Sequence, residues 1–212
     1  MREQIRIENI LQFIEENSTI IVDNIDFESL EAYIFLKSQF ESSNVSKNYF
    51  FQFVYRSFYR LDNAGLTREF KDDFFKILEE FRNVSVIDYE LILKRLDKFP
   101  NIKGQNSFQW SFVTKMAHTI DNNRAIYDNE VENVFNLPSI YSRPTFEKKL
   151  ILSIANLNII QNNYEVILEK NLLPLTFTKF DNKFHNYDLS EIKKMDFIFW
   201  SSGKIKKKID EN

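Results

Sequence analysis

The sequence predicts an all-α protein, a compact bundle of about seven to eight helices in a single domain over residues 1–212. Two observations support this fold class. Apolar residues recur at helical spacing along most of the chain, and alternating strand patterns are scarce. Only 3 Gly and 4 Pro interrupt the 212 residues, which favours long helices joined by short, Asn-rich turns. A chain of this length can bury a core without disulfides or metals.

The first half of the chain contains several amphipathic segments. Residues 2–16 carry an apolar stripe that predicts a helix, and a second helix should follow the acidic turn at Asp26. We expect residues 19–22 to form an extended loop. A helix from Ser46 is aromatic on nearly all sides and should lie in the centre of the core. The apolar stripe of the first helix consists of Ile7, Ile10, Leu11 and Ile14.

Polar residues mark the helix starts in the remainder of the chain. Thr67 is expected to cap one helix, residues 86–97 form another, and residues 108–120 form the next. Asp128 precedes a short helix as its N-cap. Further helices are expected from Pro144 to about residue 170, starting near the proline, and over residues 189–200, capped by Asp188 or Ser190.

Residues near the end of the chain form a turn and a basic tail in this interpretation. Gly203 is expected to stop the last helix as its C′ residue. Residues 204–212 carry four lysines and are predicted to be a solvated, mobile tail, with a phosphate-contacting edge as the alternative. Those lysines are Lys204, Lys206, Lys207 and Lys208.

Composition excludes several classes of protein. With 43% hydrophobic and 28% charged residues the chain is typical of globular proteins rather than disordered ones. The absence of cysteine excludes disulfides, thiolate zinc sites and a cysteine nucleophile, and suits a cytoplasmic location. A net charge of −3 argues against a nonspecific nucleic-acid coat protein. No signal peptide, membrane-spanning segment or cofactor motif is predicted.

The segment from Gly104 to Phe135 carries the most informative pattern. A break is followed by a helix that contains SFVTKMAH (111–118), then by a polar turn, and then by IYDNEV (126–131) at the start of a new helix. These strings resemble the helix-hairpin-helix DNA-glycosylase superfamily, especially divergent bacterial relatives of 8-oxoguanine glycosylases. The resemblance covers about thirty residues and implies a protein that recognises or excises a modified base in DNA.

The resemblance assigns roles to two residues. Asp128 matches the family's catalytic aspartate, which would stabilise the positive sugar as the glycosidic bond breaks. Lys115 is the candidate nucleophile or phosphate contact, and it shares a helix face with Ser111 and His118. Each residue has a structural alternative. Asp128 can act only as a helix N-cap, and Lys115 can pair with a carboxylate such as Asp121 or Asp128.

The hairpin departs from the family pattern. The glycine-rich turn that would bind a DNA phosphate retains a single glycine, Gly104, with Lys103 before it, and Lys204 is a further candidate phosphate contact. Gln109 falls close to the position of the lyase lysine and cannot form a Schiff base. These departures favour the alternative function, a non-catalytic helical module that binds DNA or a protein partner and retains a degenerate site.

Aromatic and imidazole side chains complete the candidate substrate site. Trp110, Tyr127 and Trp200 are candidates for stacking on a flipped base, and each can instead belong to the core. His118 is a candidate substrate contact, with a packed, hydrogen-bonded histidine as the alternative. No spacing of ligand residues predicts a metal site. A surface rich in exposed aromatic residues would distinguish a protein-binding module from an enzyme.

Overall fold

A computed structural model describes residues 2–211, and side chains from residue 7 onward. Eleven α-helices and two short 3₁₀ helices make up the regular structure of these residues, with one isolated β-bridge between Leu66 and Asn101. The prediction of an all-α protein is confirmed, whereas the expected seven to eight helices are too few. The helices are α1 Arg2–Glu16, α2 Ser18–Asp23, α3 Phe27–Ser42, α4 Tyr49–Phe58, α5 Arg68–Glu80, α6 Tyr89–Leu96, α7 Trp110–Ile120, α8 Asn129–Phe135, α9 Phe146–Glu169, α10 Pro174–Lys183 and α11 Glu191–Asp210.

Contacts between the helices divide the chain into two compact units, each of which is described by itself. Unit 1 comprises residues 1–26 and 123–212 and contains α1, α2 and α8–α11. Unit 2 comprises residues 27–122 and contains α3–α7. None of the helices in the described part of the chain combines the length and the hydropathy needed to cross a bilayer.

Unit 2 is built around an aromatic core. α3 and α4 pack against each other as a helical hairpin, and α5–α7 complete the unit. The inner face of α4 is buried through Phe51 and Tyr55, whose rings contact Phe75 of α5. Gln52 is also buried, and it donates hydrogen bonds to the carbonyls of Val45 and Ser46. Two backbone acceptors of the loop before the helix thereby gain partners.

The expectation that α4 is buried on all sides is wrong. Its outer face carries three large aromatic side chains that are mostly exposed to solvent. A helix can be apolar all round only if neighbours surround it, and α4 has its neighbours on one side. The exposed residues are Tyr49, Phe50 and Phe53.

In unit 1 the residues 19–22 form part of α2 instead of an extended loop. Ile21 and Val22 are buried there, and α2 packs against α10 and α11. Its β-branched residues favour extended structure locally, and tertiary burial overrides that preference. A short helix of six residues gains most of its stability from such packing.

The last helix, α11, continues to Asp210, and Gly203 lies inside it. A Cβ atom built on Gly203 would lie 2.6 Å from the carbonyl oxygen of Glu130 and 2.8 Å from its Cβ. Gly203 therefore allows close approach of α11 to α8 and does not end a helix as expected. The lysines of residues 204–208 accordingly belong to the last turns of α11.

Candidate functional site

Lys115 lies half-buried on α7 among aromatic rings. Its ammonium nitrogen is 5.3 Å from the centre of the Phe112 ring and 5.8 Å from that of Tyr59. The same nitrogen donates a hydrogen bond of 3.1 Å to Ser111 Oγ, one turn earlier. The ring faces attract the ammonium cation.

His118, one turn further along α7, is fully buried, and its ring centre lies 5.9 Å from that of Tyr33 on α3. A cavity of about 310 Å³ opens beside it within unit 2. Tyr59 and Phe40 provide apolar wall, and charged groups of both signs line the rest: Lys37, Glu41 and Asp121. The volume is at the lower end of the range for small-ligand pockets, about 300–1,000 Å³.

The predicted phosphate turn around Gly104 is closed by its own hydrogen bonds. Gly104 has a positive φ of 74°, which glycine adopts without strain. Its amide donates to the carbonyl of Asn101, and the amides of Lys103 and Gln105 donate to the Asn101 side-chain oxygen. The three amides that would face a phosphate in this turn are therefore all bonded to Asn101.

Gln109 and Trp110 begin α7. Gln109 is the N-cap residue, and its side-chain amide donates to Ser107 Oγ. The Trp110 side chain is completely buried and packs against the ring of Tyr89, with 5.2 Å between ring centres. In this arrangement Trp110 belongs to the core of unit 2 and has no exposed surface.

Asp128 belongs to unit 1, where it caps α8. The amide of Glu130 donates to its Oδ1 at 2.8 Å, as expected for an N-cap. The preceding residue, Tyr127, is fully buried and donates its hydroxyl to Glu132. Burial, followed by the hydrogen bond and charge of Glu132, raises the pKa of the Tyr127 hydroxyl well above its ordinary range.

A buried polar cluster in unit 1 was not predicted from the sequence. Lys193 and Asp196 of α11 form an ion pair of 2.8 Å, with the lysine side chain only 2% exposed. Tyr164 of α9 is completely buried near these charges, and burial followed by the charges of Asp196 and Asp128 raises its pKa well above the ordinary value. The only signal available in the sequence was the i, i+3 spacing of Lys193 and Asp196.

The basic end of α11 makes contacts within unit 1. The Lys204 ammonium group lies 3.8 Å from the ring centre of Trp200, and both residues are half-buried. Lys207 pairs with Glu130 at 2.8 Å. Lys208 donates to Asn24 Oδ1 at 3.5 Å, so three of the four lysines interact with this unit's own side chains.

The outer face of α4 forms the most exposed aromatic surface in unit 2. Tyr49 is 81% exposed, Phe50 62% and Phe53 57%. Phe50 packs edge-on against Phe35 of α3, with 5.2 Å between ring centres, which connects the two helices of the hairpin. We call Tyr49, Phe50 and Phe53 the α4 aromatic surface. The sequence signal for this surface was that the helix is aromatic all round. A helix with neighbours on one side only must expose the aromatic residues of its other side.

Within the described residues, no group of three or more histidine and acidic side chains is placed to hold a metal ion. Comparisons with protein-family models, with curated proteins and with solved structures find no match for the chain.

Proposed function

We propose that this protein is a non-catalytic, helical protein-binding module that recognises its partner through the α4 aromatic surface. The observation that carries the proposal is the exposure of three aromatic side chains on one face of α4, within its first five residues, each more than half exposed. Burying such side chains against a partner removes a large apolar area from water. Tyrosine is among the residues that contribute most at protein interfaces.

Contacts with neighbouring side chains hold the α4 aromatic surface in a fixed position. Phe50 is supported by Phe35, so its ring is held in place before a partner binds. The hairpin is also anchored by Arg82, which follows the end of α5, donates to the Ser43 carbonyl at 2.7 Å and lies over the Phe40 ring. A fixed apolar face on a helix fits a partner with an apolar groove or helix face.

Three features of the candidate DNA site favour this function over base excision. The amides of the Gly104 turn bond to Asn101, which leaves them unavailable to a phosphate. Trp110 and Tyr127 are core residues in their units and would need to leave those cores to stack on a base.

The first experiment is photo-crosslinking in the protein's native host. A photoreactive phenylalanine at position 53 should capture one defined partner, and the same probe at position 86 should not. Val86 is the matched control because it is 76% exposed in the same unit. With the partner purified, changing all three surface aromatics to serine should weaken binding at least tenfold, since aromatic hot-spot residues each contribute about 2 kcal/mol or more. Equal affinity of the variant and wild type would overturn the proposal.

Base recognition in DNA remains the alternative from the sequence resemblance, and a binding titration tests it separately. We would compare duplexes with and without an abasic-site analogue at two salt concentrations, using wild type, Lys115→Ala and Asp128→Asn. The protein-binding proposal expects no preference for the analogue. A clear preference that Lys115→Ala weakens would instead support a glycosylase-type site.

A further inference from the structure

The outer face of α9, in unit 1, carries an apolar stripe that is exposed to solvent. Ile151 is 69% exposed, and Ile154, Ile159 and Val166 are 38–40% exposed. The opposite face of the helix is buried through Leu157, Ile160 and Tyr164, among others. The stripe extends along most of α9. The helix has 24 residues and is about 36 Å long, at 1.5 Å per residue.

One charged residue near each end of α9 is placed against the helix dipole, although Glu147 in the first turn complements it. Lys148 lies in the first turn, where the dipole disfavours a cation, and Glu169 is the last helical residue, where it disfavours an anion. Both side chains are exposed, and neither forms an ion pair with any other described residue. Ion pairs among the described residues therefore do not account for the placement of Lys148 and Glu169.

We propose that α9 is a self-association surface, on which a second copy of this chain packs antiparallel through a twofold axis near Asn158 and Ile159. In this register Lys148 of each copy lies level with Glu169 of the other, and Ile151 lies level with Val166. At about 100° per residue these four positions fall within an arc of roughly 60°, so they share one face. A twofold contact requires such a self-complementary surface.

The antiparallel arrangement also explains the polar residues within the stripe. Ala155 lies level with Asn162, so a small side chain faces a larger one across the axis. A polar residue at a helix–helix contact specifies register at a cost in stability. With a single helix pair, the contact belongs at the low end of specific interfaces, about 1,200 Å², and we expect a dimer of micromolar affinity.

Exchanging the charges of Lys148 and Glu169 tests the proposal. The fraction of dimer is measured by sedimentation velocity of the full chain over a concentration series. Lys148→Glu and Glu169→Lys should each weaken dimerisation at least tenfold, because each places like charges opposite one another. An equimolar mixture of the two variants should associate again, and so should the double variant K148E/E169K, since both restore opposite charges in this register. Each single change also improves the interaction with the helix dipole, so loss of the dimer would not arise from loss of the helix.

Two controls separate this surface from others. Ile151→Ser should abolish dimerisation, whereas Ile102→Ser, which alters another exposed isoleucine (72%), should leave it unchanged. Serine at the three positions of the α4 aromatic surface should also leave it unchanged, so failure here is distinguishable from failure of the proposed function. A monomer at all concentrations up to about 1 mM, or a dimer indifferent to the charge exchanges, would overturn the proposal.

Discussion

Individual residues show where local chemistry determines the structure and where it does not. Thr67, Asp128 and Ser190 were each expected at a helix start, and each accepts a hydrogen bond from a backbone amide of the first turn. Such a bond connects residues two or three apart, so the sequence contains both partners. Gly203 is different. Position 203 must lack a Cβ atom because Glu130, which is distant in the chain, lies against it.

Gly203→Ala should lower the free energy of unfolding. Alanine normally stabilises a helix interior by about 1 kcal/mol relative to glycine. Here the new methyl group would lie 2.6 Å from a backbone oxygen of α8, and overpacking of this kind costs about 1–3 kcal/mol. Urea unfolding should therefore show a net loss, and Ile209→Ala in the same helix should change stability by less than about 0.5 kcal/mol. A more stable Gly203→Ala protein would show that α11 and α8 are not in close contact.

Single helices depend on contacts that come from elsewhere in their units. α10 begins at Pro174, and the amides of Leu175 and Thr176 donate to the carboxylate of Glu15 in α1. The carboxylate satisfies N-terminal amides that have no partner within the helix. Pro174 at the first helical position is a local signal for this helix start. The carboxylate partner is not, because it lies about 160 positions earlier in the chain.

Glu79 provides a comparable anchor for the α3–α4 hairpin. Its carboxylate accepts hydrogen bonds from Arg82 and from the amide of Val45, which precedes α4. The bonds from Arg82 hold the pKa of Glu79 below its ordinary value of 4.5, although burial acts in the opposite direction, and the Val45 amide contributes to the lowering. A carboxyl whose pKa is lower in the folded state stabilises the protein above the unfolded pKa, and this stabilisation is lost as the pH falls through the folded pKa.

Glu79→Gln should therefore destabilise the protein at pH 7 by about 1.5–3 kcal/mol, the contribution of hydrogen bonds to a charged group. The difference from wild type should narrow as the pH falls below about 4.5, which urea unfolding at several pH values would measure. Glu90→Gln is the control, since its pair with Lys94 is more than half exposed on both sides and should contribute less than about 1 kcal/mol. A difference that is constant from pH 7 to pH 3 would contradict the assigned role of the carboxylate.

At the scale of the whole molecule, the two compact units differ in how the chain builds them. Unit 2 is one continuous segment, residues 27–122, whereas unit 1 combines residues 1–26 with residues 123–212. Unit 2 also contains a core of its own, with Phe51, Phe74 and Trp110 completely or almost completely buried. A continuous segment with its own core has the properties of an independently folding domain.

A fragment of residues 27–122 should fold on its own. We expect a helical circular-dichroism spectrum and a cooperative thermal transition, because α3–α7 pack around a shared aromatic core. A fragment of residues 27–97 should lose the cooperative transition, since it lacks α7 and with it the buried Trp110, Val113 and Met116. An unfolded longer fragment would show that unit 2 depends on the rest of the chain for stability.

The sequence by itself determined the helical class, the caps at Thr67 and Asp128 and the amphipathic faces of helices such as α5, because these features depend on residues within a few positions of one another. Tertiary structure decided which aromatic residues are core and which are surface. Tyr55 and Phe53 belong to the same helix and the same residue class, yet one is fully buried and the other 57% exposed. The physical reason is that burial depends on the position of neighbouring helices, and a helix that is aromatic all round contains no local information about which side they occupy.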